Sequence, residues 1–228
     1  MIGVFDSGVG GLTALGSLRA LMPSADICFY ADRANSPYGT KSEEELLRIT
    51  ENAIDRLKNE GADIILMACC TASTVYSQLT KEDREICLPI IKPTAERAVS
   101  MTKSGKIGVI ATERTVSSHA FKTEIESRLS SASVVEIATQ PLVTLAEEGE
   151  CGAYASSEAI AKIENLISPF IKNAPDTLIL GCTHFPIFKQ IISDLLPNTA
   201  IVSCSDEGAR ALAQKCTEEG EGRLNFIF

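Results

Sequence analysis

No C-x-x-C pair occurs among the eight cysteines of this 228-residue chain, so the closely spaced thiolate ligands of a structural zinc site are missing and no metal is expected. No apolar run approaches the roughly 18 residues that a membrane span needs. The amino terminus leads straight into a strand-like M-I-G-V-F-D, without a basic stretch and an apolar leader core. The expected setting is therefore cytoplasmic, with reduced thiols rather than disulfides. Basic residues are in deficit: 21 Lys and Arg stand against 30 Asp and Glu, a net charge of -9. With no basic patch, neither a nucleic acid nor an anionic membrane is expected as a partner. An anionic small molecule would have to be held by local donors against the overall field. G-x-S-x-G is absent, which removes the serine nucleophile elbow. In F-D-S-G-V-G-G, from Phe5, the third glycine of a dinucleotide fingerprint would fall on Thr13, so no such cofactor is expected. No low-complexity linker divides the chain.

Short aliphatic runs alternate with amphipathic stretches of helical length, the pattern of parallel sheets covered by helices. Strands are predicted at 2–5, 27–30, 64–67, 106–110, 134–137, 178–180 and 200–202. Helices are predicted to begin near Gly10, Ser42, Thr71, Pro93, Thr115, Ser156, Pro186 and Ser205. Ser42 with Glu45 forms a capping box, and Ser205 with Gly208 a weaker one. A glycine-bearing turn is placed at Glu148 to Gly152. The closing residues, Glu218 to Phe228, read equally as an edge strand or a frayed tail.

The chain repeats itself. D-I-I-L-M-A-C-C-T, from Asp63, and D-T-L-I-L-G-C-T-H, from Asp176, share an aspartate, four mostly aliphatic residues, a small residue, a cysteine and a nearby threonine. I-G-V-F-D-S from Ile2 is echoed by I-G-V-I-A-T from Ile107. Two copies of one α/β unit would each deliver one thiol, Cys69 and Cys182, to a shared cleft. Each thiol would follow a strand and precede a helix, at the sheet edge where open α/β sheets bind ligands. The helix start is expected to favour the thiolate. Two thiols on opposite faces of one carbon suit the movement of a proton from one face to the other. Cys28, Cys87, Cys151, Cys204 and Cys216 have no counterpart in the repeat and are read as packing or turn residues. His184, two residues beyond Cys182, is placed to tune that thiol, whereas His119 on a serine-rich stretch is read as structural or exposed. Asp6 is either a helix cap or an acceptor for a substrate ammonium.

V-F-D-S-G-V-G-G-L-T, Y-A-D-R-A-N-S-P-Y-G-T-K-S from Tyr30, A-C-C-T-A-S at Ala68 and L-G-C-T-H-F-P at Leu180 together resemble glutamate racemase, of the cofactor-independent aspartate/glutamate racemase superfamily. The resemblance covers nearly the whole chain. It implies an α/β fold of two pseudo-symmetric domains, each a mostly parallel sheet flanked by helices, with the active site in the interdomain cleft. The division expected is residues 1–92 with 205–228 around Cys69, and 93–204 around Cys182. It also implies interconversion of L- and D-glutamate without a cofactor, supplying D-glutamate for peptidoglycan, with a homodimer as the assembly to test. Position by position, it implies catalytic roles for Cys69, Cys182, Asp6 and His184. Substrate contacts are implied for Ser7, Pro37, Tyr38, Gly39, Cys70, Thr71, Thr112, Thr115, Glu147 and Thr183. Two departures stand out: Cys70 replaces the usual Asn of A-C-N-T-A, and A-T-Q-P-L from Ala138 replaces A-C-P-L. The exchange at Cys70 removes an amide donor and acceptor. It leaves open a racemase of aspartate or another amino acid, or a small-ligand binding paralogue with impaired turnover.

Overall fold

A computed structural model of the chain describes residues 1–150, 155–217 and 220–227; Cys151 and Gly152, placed in a turn above, lie outside them. The strands are β1 (Ile2–Asp6), β2 (Ile27–Ala31), β3 (Ile64–Met67), β4 (Cys87–Pro89), β5 (Lys106–Ala111), β6 (Ser133–Ala138), β7 (Thr177–Gly181), β8 (Ala200–Ser203) and β9 (Leu224–Ile227). The helices are α1 (Leu12–Leu21), α2 (Glu43–Asn59), α3 (Cys70–Ser73), α4 (Lys81–Ile86), α5 (Ile91–Met101), α6 (Glu113–Ser117), α7 (Ala120–Glu126), α8 (Pro141–Glu147), α9 (Ser157–Lys172), α10 (Lys189–Leu195) and α11 (Cys204–Ala213).

Two parallel sheets result, ordered β4-β3-β1-β2-β9 and β6-β5-β7-β8. Read from the other edge, the second sheet runs β8-β7-β5-β6, the order of the first four strands of its partner. The sequence repeat is thus a repeat of topology. In each copy the first strand, β1 or β5, pairs with the second strand on one side and the third on the other. The chain therefore reverses its winding direction between β1 and β3, and again between β5 and β7. Side loops diverge at such a switch point and leave a crevice at the carboxyl ends of the strands. All five residues of β1, β2 and β7 are buried, as expected of parallel strands covered on both faces.

Side-chain caps start α2, α9 and α11. Ser42 Oγ accepts the Glu45 amide at 3.2 Å, and Ser156 Oγ accepts that of Ala159 at 3.1 Å. For α11 the cap is Ser203, two residues before the predicted Ser205, because its hydroxyl accepts the Asp206 amide at 3.3 Å. The helix predicted from Thr71 is only the four-residue α3, followed by a 3₁₀ turn and then α4, which Thr80 caps. The helix predicted from Pro186 opens as a 3₁₀ turn, Phe185–Phe188, before α10. Neither β4 nor α8 was predicted: β4 is three residues long, and α8 opens on a proline that reads as a breaker in isolation. The chain passes from the first sheet to the second through α5. It returns through α11, whose Ala209 and Leu212 join the core under α1.

The closing segment forms an edge strand, with β9 parallel to β2. Asp26 ties it down. One carboxylate oxygen accepts the Glu221 and Arg223 amides at 3.0 and 2.8 Å. The other accepts the Arg223 guanidinium at 3.1 and 2.7 Å. These donors hold the Asp26 carboxyl well below the usual carboxylate range. Among the described residues no helix is long and apolar enough to cross a membrane.

Candidate active site

Both switch points open onto one cavity. From the first half come Ser7 after β1, the 36–39 loop after β2, and Cys69, Cys70 and Thr71 after β3. The second half adds Thr112 after β5, Gln140 and Val143 after β6, and Cys182, Thr183 and His184 after β7. The free volume is about 20 Å³, room for about one water molecule, so an amino acid enters only when the two halves or the 36–39 loop move apart. Of the residues anticipated from sequence, Cys69, Cys182, His184, Ser7, Pro37, Tyr38, Gly39, Cys70, Thr71, Thr112 and Thr183 all line it. Ser36, Gln140 and Val143 were not anticipated as lining residues. Only the A-T-Q-P-L departure marked that place in the chain.

Asp6, Thr115 and Glu147 stand behind the wall. Asp6 is fully buried and acts as a brace: Oδ2 accepts the amides of Gly8 and Gly11 at 3.1 and 3.0 Å, and Oδ1 accepts the Thr183 hydroxyl at 3.1 Å. Asp6 thus takes the capping role of its two readings: the carboxylate closes its own turn and grips the opposite half, and it does not reach the cavity where a substrate ammonium would sit. Burial raises its pKa, and the nearby His184 opposes that rise. Thr115 joins Thr112 and Thr71 in a triangle of hydroxyls, with O···O distances of 2.9, 3.0 and 3.3 Å, that bridges the halves. Glu147 is half exposed and approaches the site only through His184 Nε2, at 3.6 Å.

Each thiol has its own polar neighbours. Cys69 Sγ lies 3.9 Å from Ser7 Oγ and also accepts from the Ser7 and Ala72 amides. Cys182 Sγ lies 3.7 Å from His184 Nδ1 and accepts the His184 amide. The expectation that helix starts would favour the thiolates is corrected here. Burial, with Asp6 adding to it, pushes Cys69 up to about 12 and lifts Cys182 well above the ordinary thiol value. The reason is scale: α3 has four residues and the chain after Cys182 enters a 3₁₀ turn, so few peptide dipoles align against a large desolvation cost. Cys70 is also buried and faces the Cys204 thiol, which pushes it up further. Cys204, read as a packing residue, does pack, but against the floor of the site. His119 is exposed and its Nδ1 pairs with Glu136 at 2.7 Å.

Tyr38 holds the 36–39 loop closed, its hydroxyl donating to Asp32 Oδ2 at 2.6 Å while Asn35 donates to both oxygens of the same carboxylate. Two glycines permit the close fit. A Cβ on Gly39 would sit 2.6 Å from Gln140 Oε1, and one on Gly10 would sit 2.5 Å from His184 Nδ1 and 2.8 Å from Thr183 Oγ1. Gly10→Ala is therefore expected to displace His184 and lower stability by about 1–3 kcal/mol. Urea denaturation measures that loss, and wild-type stability in the variant would show that the imidazole has room to retreat. Among the described residues no group of three or more His, Cys, Asp and Glu side chains is placed to hold a metal ion.

Comparison with known proteins agrees with this geometry. The sequence profile of the Asp/Glu/Hydantoin racemase family matches residues 16–212. A glutamate racemase of Herpetosiphon aurantiacus is 38% identical over 214 residues, 93% of this chain and 82% of its own length. The crystal structure of glutamate racemase isoform RacE1 from Bacillus anthracis superimposes with a TM-score of 0.89 at 30% identity, covering 99% of this chain and 86% of that one. A glutamate racemase from Francisella tularensis, solved in complex with D-glutamate, gives the same TM-score and the same coverage at 27% identity.

Proposed function

Since the chain belongs to the Asp/Glu/hydantoin racemase family, we propose that its paired thiols interconvert L- and D-glutamate and so supply D-glutamate for peptidoglycan in the cytoplasm. The observation that carries the reading is one thiol from each switch point, Cys69 and Cys182, in the wall of one cavity. On this reading residues 1–92 with 205–228 form one half and 93–204 the other, and a homodimer is the assembly that sedimentation would test.

The chemistry follows from the geometry. One sulfur, as thiolate, takes the Cα proton and becomes a thiol. The opposite thiol gives its proton to the other face of Cα and becomes the thiolate. One proton leaves the carbon, one arrives, and the pair ends with its protonation states exchanged. Both thiols sit high in pKa, so the thiolate is a strong base once formed. That narrows its gap to a carbon acid far weaker than any thiol. Hydroxyls of Ser7 and Thr71 face the same space and are the donors for the substrate's carboxylates, stabilising the carbanion-like transition state; the Thr112 and Thr183 hydroxyls, already given to Thr115 and Asp6, brace that wall. His184 at Cys182 and Ser7 at Cys69 hold the sulfurs in place. Asp6 acts as a positioning residue through Thr183, Gly8 and Gly11.

Circular dichroism of L- and D-glutamate, and of both aspartates, reads the activity directly. Glutamate is expected to reach an equal mixture from either side. In D2O each enantiomer is expected to gain deuterium at Cα chiefly as it becomes product, because the incoming hydrogen belongs to the opposite thiol. Substantial transfer of the substrate's own hydrogen into the opposite enantiomer would exclude the two-thiol mechanism. Loss of no optical signal from any of the four would leave a binding protein instead.

A further inference from the structure

Among the described residues, Gln140 carries the only carboxamide in the cavity wall, and that wall contains no Lys, Arg, Asp or Glu. Its Oε1 is buried without a hydrogen-bond partner and lies against Gly39, where an added Cβ would approach within 2.6 Å. A buried amide oxygen left unpaired is costly, and the side chain that carries it stands in the cavity wall with no protein donor on that oxygen. Topology says which part of a ligand it meets. The thiols follow β3 and β7, whereas Gly39 and Gln140 follow β2 and β6, the neighbours on the other side of β1 and β5. A ligand whose reacting carbon lies between Cys69 and Cys182 extends its remaining atoms toward the β2 and β6 loops.

We propose that Gln140 is a specificity-determining residue that binds the side-chain carboxylate of the substrate through its carboxamide. A half-turn about the last side-chain torsion presents two N–H donors where the oxygen now sits. Among the described residues no Lys or Arg lines the site to do this instead, and the chain's charge of -9 makes a neutral donor the natural holder of an anionic group. The inference rests on the racemase reading above and names the residue that selects an acidic side chain.

The test is steady-state racemisation of L- and D-glutamate and of L-glutamine by wild type, Gln140→Leu, Gln140→Glu and Gln140→Asn, with thermal melting of each protein. Gln140→Leu is expected to raise KM for glutamate about 10- to 100-fold, the worth of a hydrogen bond to a charged group, with kcat changed less than about threefold. Gln140→Glu sets carboxylate against carboxylate and is expected to lose more for glutamate than for glutamine, whereas Gln140→Asn recovers part of the Leu loss. An unchanged KM in Gln140→Leu, or a fall confined to kcat, overturns the assignment while leaving the racemase reading intact. Failure of the wild type itself to racemise any acidic amino acid overturns both.

Discussion

Cys69→Ser and Cys182→Ser are each expected to lower racemisation in both directions by about 10²- to 10⁴-fold, the usual worth of a positioned acid–base group. A hydroxyl is a far weaker acid than a thiol. In the same buried position it neither forms the base on one face nor surrenders a proton readily on the other. On the proposed two-thiol mechanism every turnover uses both sulfurs, so removing either is expected to stop the reaction in both directions. The double variant should be little worse than either single one, because groups acting as a unit lose their effect together. Loss of fold is distinguished by a half-reaction. Each single variant should still eliminate the leaving group from one enantiomer of a β-substituted glutamate, with the two variants choosing opposite enantiomers. Racemisation at wild-type rates by either variant would remove that cysteine from the mechanism. The pH profile belongs to the same test. With both thiols raised by burial, kcat/KM is expected to climb from neutrality to at least about pH 9, since that profile reports ionisations of the free enzyme.

Alkaline pH is expected to unfold the protein steeply. Cys69 and Cys87 are both pushed to about 12 from an unperturbed 9.0 by burial, and Cys70 and Cys182 are raised well above it. A raised folded-state pKa means that the native chain keeps protons that the unfolded chain gives up. The stability each thiol contributes is whole below about pH 9 and is lost as pH rises from there toward about 12. The loss is about 1.4 kcal/mol per pH unit for each thiol so held, a substantial fraction of an ordinary domain's stability. Cys87 offers a clean check because it does not line the cavity. Cys87→Ala loses some packing at neutral pH but should make the decline between pH 9 and 12 shallower by about 1.4 kcal/mol per unit. Chemical denaturation at a series of pH values reads this slope, and a parallel decline in both proteins would mean that Cys87 ionises freely in the native state. At acid pH the lowered carboxyls Asp26 and Asp176 act in the opposite sense. Their contribution is present above the unfolded pKa and disappears as pH falls.

Much of this architecture was legible in the chain because its strongest signals are local and occur twice. The aliphatic runs ending at Asp6, Met67, Ala111 and Gly181 are strands because parallel strands buried on both faces must be continuously apolar. The duplicated Asp-to-Cys pattern placed one thiol at the end of each third strand. Motif resemblance then gathered most of the cavity wall. Short elements escaped notice. The three-residue β4 and the α8 helix opening on Pro141 exist through tertiary contact, with Leu142, Val143 and Leu145 buried in the second core, so their own periodicity is too brief to announce them. Tertiary structure also decided the chemistry. Thiol acidity is a contest between helix ends and desolvation, and a sequence shows where a helix starts but not how deeply its first residues are buried. Asp6 and Thr183 lie 177 residues apart, and Gln140 meets Gly39 only when the two halves close. Residue type and spacing determined which groups the site would contain. Their protonation, and which of them touch the cavity, were set by the packing of one half against the other.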